Sequence, residues 1–137
     1  MKSTLPTEHD EQVNFVREVR YRFRNDRTFI ELLFFSTLNG AWLGGKSFAL
    51  WAKHEAEGAQ RGVSDILYLQ SRGVYSFLAI EMKRSNMRNR KDGGLTTKEK
   101  EWLACAKESG AFTAVCYSAE ESIGVFNRYM GMEVRDL

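Results

Sequence analysis

Cysteine and histidine are scarce in this sequence, with two of each among 137 residues. Cys105 and Cys116 lie in apolar segments without the CxxC spacing of metal or redox motifs, and His9 and His54 are far apart in the chain. A zinc site needs several such ligands at short, regular spacings, so the sequence argues against one. We instead expect two reduced thiols in the core of an intracellular protein.

Long apolar runs are also absent. No segment approaches the ~20 consecutive apolar residues that span a bilayer, and the N-terminal residues lack the apolar stretch of a signal peptide. We therefore expect a soluble, cytoplasmic protein without membrane contact. The net charge of +2 is small, so any affinity for a polyanion has to arise from local clusters of basic residues.

The sequence does contain enough apolar material for one core. Hydrophobic residues make up 43% of the chain, which argues against disorder, and residues 1–137 are expected to form a single domain. The hydrophobic pattern predicts the element order α-β-α-β-β-α-β-α. The predicted segments are a helix from the N-cap Thr7 to about Arg24, a strand in 28–37 with a turn at Asn39-Gly40, a helix in 46–58, strands at 63–70 and 74–83, a basic loop at 84–94, a helix from Thr96 or Thr97 to Glu108, a strand in 111–118 and a helix in 119–130. Phe34 and Phe35 are expected in the core, and Trp42 is expected to pack locally or to stack on an unpaired base.

The two central strands, within residues 61–85, carry charged side chains in an otherwise apolar hairpin. Because side chains alternate along a strand, Glu81 and Lys83 project to the same side. Gly73 is the natural turn residue, since glycine readily takes a positive φ. A hairpin symmetric about Gly73 pairs residues whose numbers sum to 146, which places Asp65 opposite Glu81 with Cβ atoms ~5 Å apart.

Two carboxylates opposed in this way are destabilising unless something compensates their charge. A divalent cation does so, and two converging carboxylates with water completing the shell is how Mg²⁺ is usually held. Lys83, expected at an exposed strand end, would then stabilise charge on a phosphoryl oxygen or help activate the attacking water. The alternative is a solvated strand end in which Glu81 and Lys83 form a surface pair.

Basic residues surround this hairpin in two groups. Five lie in the segment from Lys83 to Lys91, both included, with no acid among them, and a second group begins at Arg17 in the first helix. A charge run is often a solvated face, but beside an acid pair it also suits a substrate whose phosphates must be held, which points to phosphodiester hydrolysis. The predicted DNA contacts are Arg17, Arg20, Arg24, Arg84, Arg88, Arg90, Lys91 and Lys98.

At this point the residues resemble a known family. The segments "GVSDI" (62–66) and "AIEMKR" (79–84) resemble the D…ExK core of PD-(D/E)xK nucleases, and the wider pattern is similar to the VRR-NUC domain, the virus-type replication-repair nuclease. That pattern includes Glu8 and Gln12 four residues apart, an Asn-Gly pair after the first strand, and a C-terminal half resembling "LTTKEKEWL" and "VCYSAEESIGVFNRY". The resemblance covers nearly the whole chain.

Two positions depart from the family pattern. Ser64 replaces the proline before Asp65, a change on a side chain that points away from the acid pair. Glu99 replaces a glutamine that the family often has, and Thr96-x-x-Glu99 also reads as a capping box, so Glu99 is either catalytic or only a helix cap. The acid of the first helix is Glu8 by its spacing, with Glu11 as the alternative.

The resemblance implies an α/β, restriction-endonuclease-like fold with a central mixed β-sheet flanked by helices. It implies Mg²⁺ as the cofactor, with Mn²⁺ able to substitute, held by Asp65, Glu81, the backbone carbonyl of Met82 and Glu8. Lys83 and Glu99 complete the expected catalytic set. Stand-alone members of this size resemble homodimers that cut branched DNA such as four-way (Holliday) junctions, in replication, repair or recombination in a bacterial or phage-infected cell.

Two alternatives remain open on the sequence. One is a DNA-binding subunit that keeps the nuclease fold without catalysis, although the intact Asp65, Glu81 and Lys83 argue against it. The other is a restriction-type or RNA-directed nuclease of the same fold. The chain has no room for a separate sequence-reading domain, and the case against RNA rests on family analogy alone.

Overall fold

The order of helices and strands is the predicted one. The computed structural model of the chain describes residues 5–38 and 48–135, apart from the side chain of Phe48. The main elements are α1 (Glu8–Arg22), β1 (Phe34–Ser36), α2 (Phe48–Ala56), β2 (Ile66–Tyr68), β3 (Leu78–Met82), α3 (Thr97–Glu108), β4 (Phe112–Cys116) and α4 (Ala119–Met130). The predicted turn at Asn39-Gly40 and the prediction for Trp42 lie outside the described residues.

The helix starts follow from local capping chemistry. Thr7 caps α1, where its hydroxyl accepts from the backbone N–H of Asp10 at 3.0 Å and the Asp10 carboxylate accepts from the N–H of Thr7 in return. Thr96 and Glu99 form the same reciprocal pair at the start of α3. Each such cap satisfies N–H groups that the helix itself leaves without partners. Both predicted N-caps are confirmed.

The segment predicted as a strand at 28–37 is only partly extended. A 3₁₀ turn at Glu31–Leu33 precedes the three-residue strand β1. The turn is tied down because the N–H of Ile30 donates to the Tyr68 hydroxyl at 3.1 Å, and it leaves Leu32 85% exposed. An apolar run therefore does not become one long strand here, since its residues do not share one buried face.

The sheet is mixed, with the strand order β1-β2-β3-β4. The pairs β1–β2 and β2–β3 are antiparallel, and β3–β4 is parallel. Every residue of β3 is buried, which places this strand at the centre of the fold. In the β2–β3 pair Ile66 faces Ile80, so the paired numbers sum to 146 as predicted.

The turn of this hairpin is less symmetric than the register. Gly73 has a φ of +55°, as the turn requires, but the bridge that closes the turn joins Arg72 to Tyr75. The arm after β2 therefore contains one residue more than the arm before β3, an irregularity like a β-bulge. The extra residue lies near the turn, so the strands beyond it keep the register that brings Asp65 to Glu81.

The hydrophobic core lies on one face of the sheet, beneath α1 and α4. Its central side chains include Phe15 and Val19 of α1, Phe34 of β1, and Phe126 and Tyr129 of α4. The even-numbered side chains of β2 and β3 join this cluster, so the odd-numbered ones, including that of Glu81, project from the opposite face. The prediction for Phe35 is wrong: its neighbour Phe34 takes the core-facing position, and Phe35 is 39% exposed.

A buried arginine ties the C-terminal segment to the hairpin. Arg72 is 3% exposed, and its guanidinium donates to Gln70 Oε1 at 2.7 Å, to the carbonyls of Met130 and Met132 at 2.7 and 3.0 Å, and to Thr28 Oγ1 at 2.7 Å. A buried charge is tolerated only when it is paired or fully hydrogen-bonded. Arg72 satisfies this condition through oxygen acceptors contributed by three separate segments.

The two thiols have different environments. Cys116 is buried in the core, and burial raises the pKa of its thiol to about 11. Cys105 is exposed on α3, so the prediction of two core thiols is wrong for this residue. The apolar residues near Cys105 in the sequence lie on another face of α3 from the thiol.

None of the helices in the described ranges is both long and apolar enough to cross a membrane.

Candidate active site

The acid pair lies where β2 and β3 begin to separate. Asp65 directly precedes β2, and its Oδ2 accepts a hydrogen bond from the Met82 N–H at 2.7 Å, which extends the ladder by one side-chain contact. The carboxyl groups of Asp65 and Glu81 are close enough for the charge of Asp65 to help raise the pKa of Glu81. Two carboxylates this close require either a shared proton or a cation between them.

Glu81 has the largest pKa shift of the residues in the site. Its side chain is buried at 2% exposure, and its Oε2 atom has no hydrogen-bond partner in the described part of the chain. Burial, followed by the charges of Asp65 and Glu99, raises the pKa of Glu81 to about 11. Burial also raises the pKa of Asp65. These raised pKa values favour a protonated carboxyl in the pair, whereas a metal would favour the ionised carboxylate.

Lys83 is not at an exposed strand end, and the prediction that placed it there is wrong. The residue is 9% exposed, and its Nζ donates to both carboxylate oxygens of Glu99, at 2.8 and 3.0 Å, while lying 3.8 Å from Glu81 Oε1. Burial alone would lower the pKa of Lys83. The hydrogen bonds to Glu99 and the charge of Glu99 outweigh this effect and raise the pKa, so the ammonium stays charged.

Glu99 is confirmed as a helix cap and also contacts Lys83, whereas its catalytic role stays a prediction. Its Oε1 accepts from the backbone N–H of Thr96 at 2.8 Å, which completes the capping box of α3. The same carboxylate contacts Lys83, and its pKa is lowered because the hydrogen bonds from its neighbours outweigh the effect of burial. The cap therefore holds Glu99 in place as the counter-charge of Lys83.

Gly62 allows the start of α3 to lie against the hairpin. Its φ is +80°, and a Cβ at this position would fall 2.4 Å from the carbonyl carbon and oxygen of Lys98. Only glycine fits so close an approach of two backbones. The glycine of the "GVSD" segment is thus what brings Glu99 within reach of Lys83.

The structure distinguishes Glu8 from Glu11. Glu8 lies at the solvent-facing rim, where partial burial of its carboxyl raises its pKa and the charges of Lys83 and Asp65 act on it. Glu11 Oε2 instead accepts from the backbone N–H of Ala119 at the start of α4. Glu11 therefore joins α1 to α4, and Glu8 is the acid of the first helix that faces the site.

A cleft of about 880 Å³ leads away from the acid pair, between α1 and β1. Glu8 and Asp65 line one part of it, and Arg17 and Arg20 line another. The exposed ring of Phe35 also contributes to this cleft. The cleft thus runs from Asp65, one member of the acid pair, to Arg17 and Arg20, which belong to one of the two predicted basic groups.

Some of the other predicted DNA contacts already bind groups of the protein itself. Arg24 lies 4.0 Å above the ring of Tyr21 and also donates to the Tyr21 carbonyl, so its guanidinium is engaged on its own helix end. Arg88 pairs with Glu121 and lies 4.6 Å from the ring centroid of Tyr117.

The other predicted contacts also differ in how far they are engaged. Arg84 donates to backbone carbonyls of the N-terminal segment, and Lys98 is 3.5 Å from Glu101. Arg90 and Lys91 are exposed and make no side-chain hydrogen bond or ion pair within the described ranges. The loop therefore offers two cations that are free to meet a phosphate, not the four that its composition suggested.

The model of the VRR-NUC domain matches residues 8–120. The chain belongs to the VRR-NUC family. A solved structure described as a "VRR_NUC domain protein" has a TM-score of 0.74 to this chain at 19% identity, over 99% of this chain and 96% of that one, a likeness that shows the fold. None of the curated proteins compared matches the chain.

The nuclease-type fold predicted from the sequence is confirmed by this VRR-NUC membership. Within residues 5–38 and 48–135, no three Asp, Glu, His or Cys side chains are arranged to hold a metal ion. The VRR-NUC site instead offers two neighbouring carboxylates, one of which has a buried oxygen with no partner among the described residues. This donor set fits Mg²⁺, which keeps several waters and binds through one or two carboxylates, and does not fit a closed zinc site.

Sequence reasoning missed one feature of this VRR-NUC site, the direct contact between Lys83 and Glu99. The two residues are 16 positions apart and belong to different elements, so no local spacing connects them. The available signal was Gly62, because a glycine just before a strand often marks a close approach of another backbone.

Proposed function

We propose that this VRR-NUC protein is a Mg²⁺-dependent endonuclease that hydrolyses phosphodiester bonds in branched DNA, such as four-way junctions, in replication, repair or recombination. The observation that carries the proposal is the meeting of Asp65, Glu81 and Lys83 at one point, with a buried Glu81 oxygen that has no partner in the described ranges. Such a site is costly for folding alone, because it buries like charges together. Costly polar clusters of this kind are typical of functional sites.

Asp65 and Glu81 would hold the metal ion, with the Met82 carbonyl as a further oxygen donor. Glu8 would join them only by moving closer, since no three acids in the described ranges are arranged to hold an ion. Bound there, Mg²⁺, or Mn²⁺ in its place, would lower the pKa of a bound water and neutralise charge on the scissile phosphate. The carboxylates prepare this binding because their mutual repulsion is relieved only by a proton or a cation.

Lys83 would stabilise negative charge that develops on the phosphate. The raised pKa of this lysine favours the charged ammonium, which supports electrostatic stabilisation over the removal of a proton from water. Glu99 would act by holding the ammonium in a fixed position. A preorganised charge is worth more than a mobile one, since it needs no rearrangement during the reaction.

The cleft between α1 and β1 would receive the DNA strand. Arg17 and Arg20 would contact phosphates, and the exposed Phe35 ring offers a surface on which an unpaired base can stack. Arg90 and Lys91 would add contacts from the loop side. The proposal therefore places cations on two sides of the acid pair, as a bound polyanion requires.

We further propose that the protein acts as a homodimer. One small site cuts one strand per encounter, whereas a twofold dimer presents two sites to a nearly symmetric junction. The oligomeric state of the purified protein in solution tests this point.

A cleavage panel tests the function. Labelled four-way junction, flap, linear duplex and single-stranded DNA, together with a matched RNA, are incubated with protein in Mg²⁺, in Ca²⁺ and in chelator. We expect nicking of branched DNA in Mg²⁺ that stops on chelation, because the acid pair needs the metal.

Three other outcomes of this panel would each contradict the proposal. Binding without cleavage in every metal would indicate a non-catalytic subunit. Cleavage of linear duplex at one fixed sequence would indicate a restriction-type enzyme. Preferred cleavage of the RNA would place the protein in a different substrate class.

A further inference from the structure

Arg84 directly follows the Glu81-x-Lys83 motif, yet its side chain reaches to the other end of the chain. Its Nε donates to the Pro6 carbonyl at 3.1 Å, and its Nη2 donates to the Leu5 carbonyl at 3.0 Å. The partners in these two bonds are separated by 78 and 79 positions in the sequence. A planar guanidinium is suited to such a double contact because its donors are fixed in a fork.

The two carbonyls belong to the segment that leads into α1. Thr7, the N-cap, comes next, and Glu8 is the first residue of the helix. The position of this entry segment therefore sets where the Glu8 carboxyl lies relative to Lys83 and Asp65, both of which act on it electrostatically.

We propose that Arg84 is a positioning residue, which clamps the entry of α1 and so holds Glu8 beside the acid pair. The inference rests on the proposed function for the role of Glu8, but the clamp itself does not depend on it. This role replaces the prediction that Arg84 contacts a phosphate, because its guanidinium binds protein carbonyls. In this arrangement the residue after the catalytic lysine connects the hairpin motif with the acid of the first helix.

The test compares Arg84→Ala and Arg84→Lys with Arg17→Ala, which removes a cation that lines the cleft. Amide hydrogen exchange over residues 5–11 is measured in the metal-free protein, and DNA affinity is measured in Ca²⁺ over a range of salt concentrations. Both Arg84 variants should exchange about tenfold faster in this segment and bind DNA within about twofold of wild type. Arg17→Ala should leave exchange unchanged and reduce the salt slope by about one.

Single-turnover cleavage of the junction adds a second readout. Both Arg84 variants should be slower by about tenfold or more at saturating DNA, since a small misplacement of a catalytic group is costly. Lysine should not rescue, because an ammonium cannot make the forked contact. A variant that combines Arg84→Ala with Glu8→Gln should be no slower than Glu8→Gln alone, if Arg84 acts through Glu8.

Three results would overturn the inference. These are unchanged exchange over residues 5–11 in the Arg84 variants, a reduced salt slope with rescue by lysine, and additive rate losses in the combined variant. If the wild type cleaves no substrate, the proposed function fails, whereas the exchange measurement still decides whether Arg84 clamps the segment. If Arg84→Ala does not fold, Arg84→Lys keeps the charge and carries the same comparison.

Discussion

Replacing Glu81 with Gln is expected to reduce junction cleavage by about a thousandfold or more, because the acid pair then loses the charge that holds the metal. The substitution keeps the size and shape of the side chain, so the sheet register between Ile66 and Ile80 should not change. The measurement is the single-turnover rate in saturating Mg²⁺.

The same variant should gain stability without metal. The pKa of Glu81 is raised to about 11 in the folded protein from an ordinary value of 4.5, so the folded state binds a proton that the unfolded state releases above that value. Stability contributed by this group is therefore full below pH 4.5 and is lost as the pH rises toward 11. Gln removes this loss, and the melting temperature of Glu81→Gln in chelator should exceed that of wild type by about 3 °C or more near pH 9, with a smaller gap near pH 5.

Glu101→Gln provides the control for both measurements, because Glu101 is an exposed acid on α3 whose contact is the surface pair with Lys98. It should cleave and melt like wild type. If Glu81→Gln keeps cleavage within about tenfold of wild type, the assignment of Glu81 as a metal ligand is wrong.

The largest loss of stability is expected far from the acid pair, at Arg72. Arg72→Met removes the guanidinium but keeps a long apolar side chain, and it takes a donor from oxygens on Gln70, Thr28, Met130 and Met132, of which those on Gln70 and Met130 are buried. We expect a loss of about 3 kcal/mol or more in the free energy of unfolding, or about 10 °C in melting temperature. Denaturant titration measures it directly.

Arg135→Met is the matched control for this prediction. Arg135 is exposed and donates one hydrogen bond, to the Gly73 carbonyl at 3.2 Å, so its loss should cost less than about 0.5 kcal/mol. Equal losses in the two variants would show that Arg72 does not hold the C-terminal segment in place.

The features that the sequence predicted well are those that local chemistry decides. Thr7 and Thr96 begin helices because capping needs only residues three positions apart. The register of the hairpin follows from a turn glycine and from alternation of apolar side chains, even though the turn itself contains a bulge. The meeting of Asp65 with Glu81 was therefore predictable before any long-range contact was known.

The features that the sequence could not predict depend on contacts between distant elements. Lys83 is buried, and its partner Glu99 comes from α3, which is distant in the sequence. Glu8 and Glu11 differ only in which neighbour each one reaches across the fold, the acid pair or the start of α4. The charge run after Lys83 could not show that Arg84 contacts backbone carbonyls, because composition does not reveal where a side chain points.

Titration of the protein with Mn²⁺, followed by calorimetry, tests the central claim most directly. Wild type is expected to bind one ion per chain, and Asp65→Asn and Glu81→Gln should each abolish that binding while Glu101→Gln leaves it intact. Binding that survives in both acid-pair variants, or no binding in a folded wild type, would contradict the claim that these two carboxylates share a metal ion.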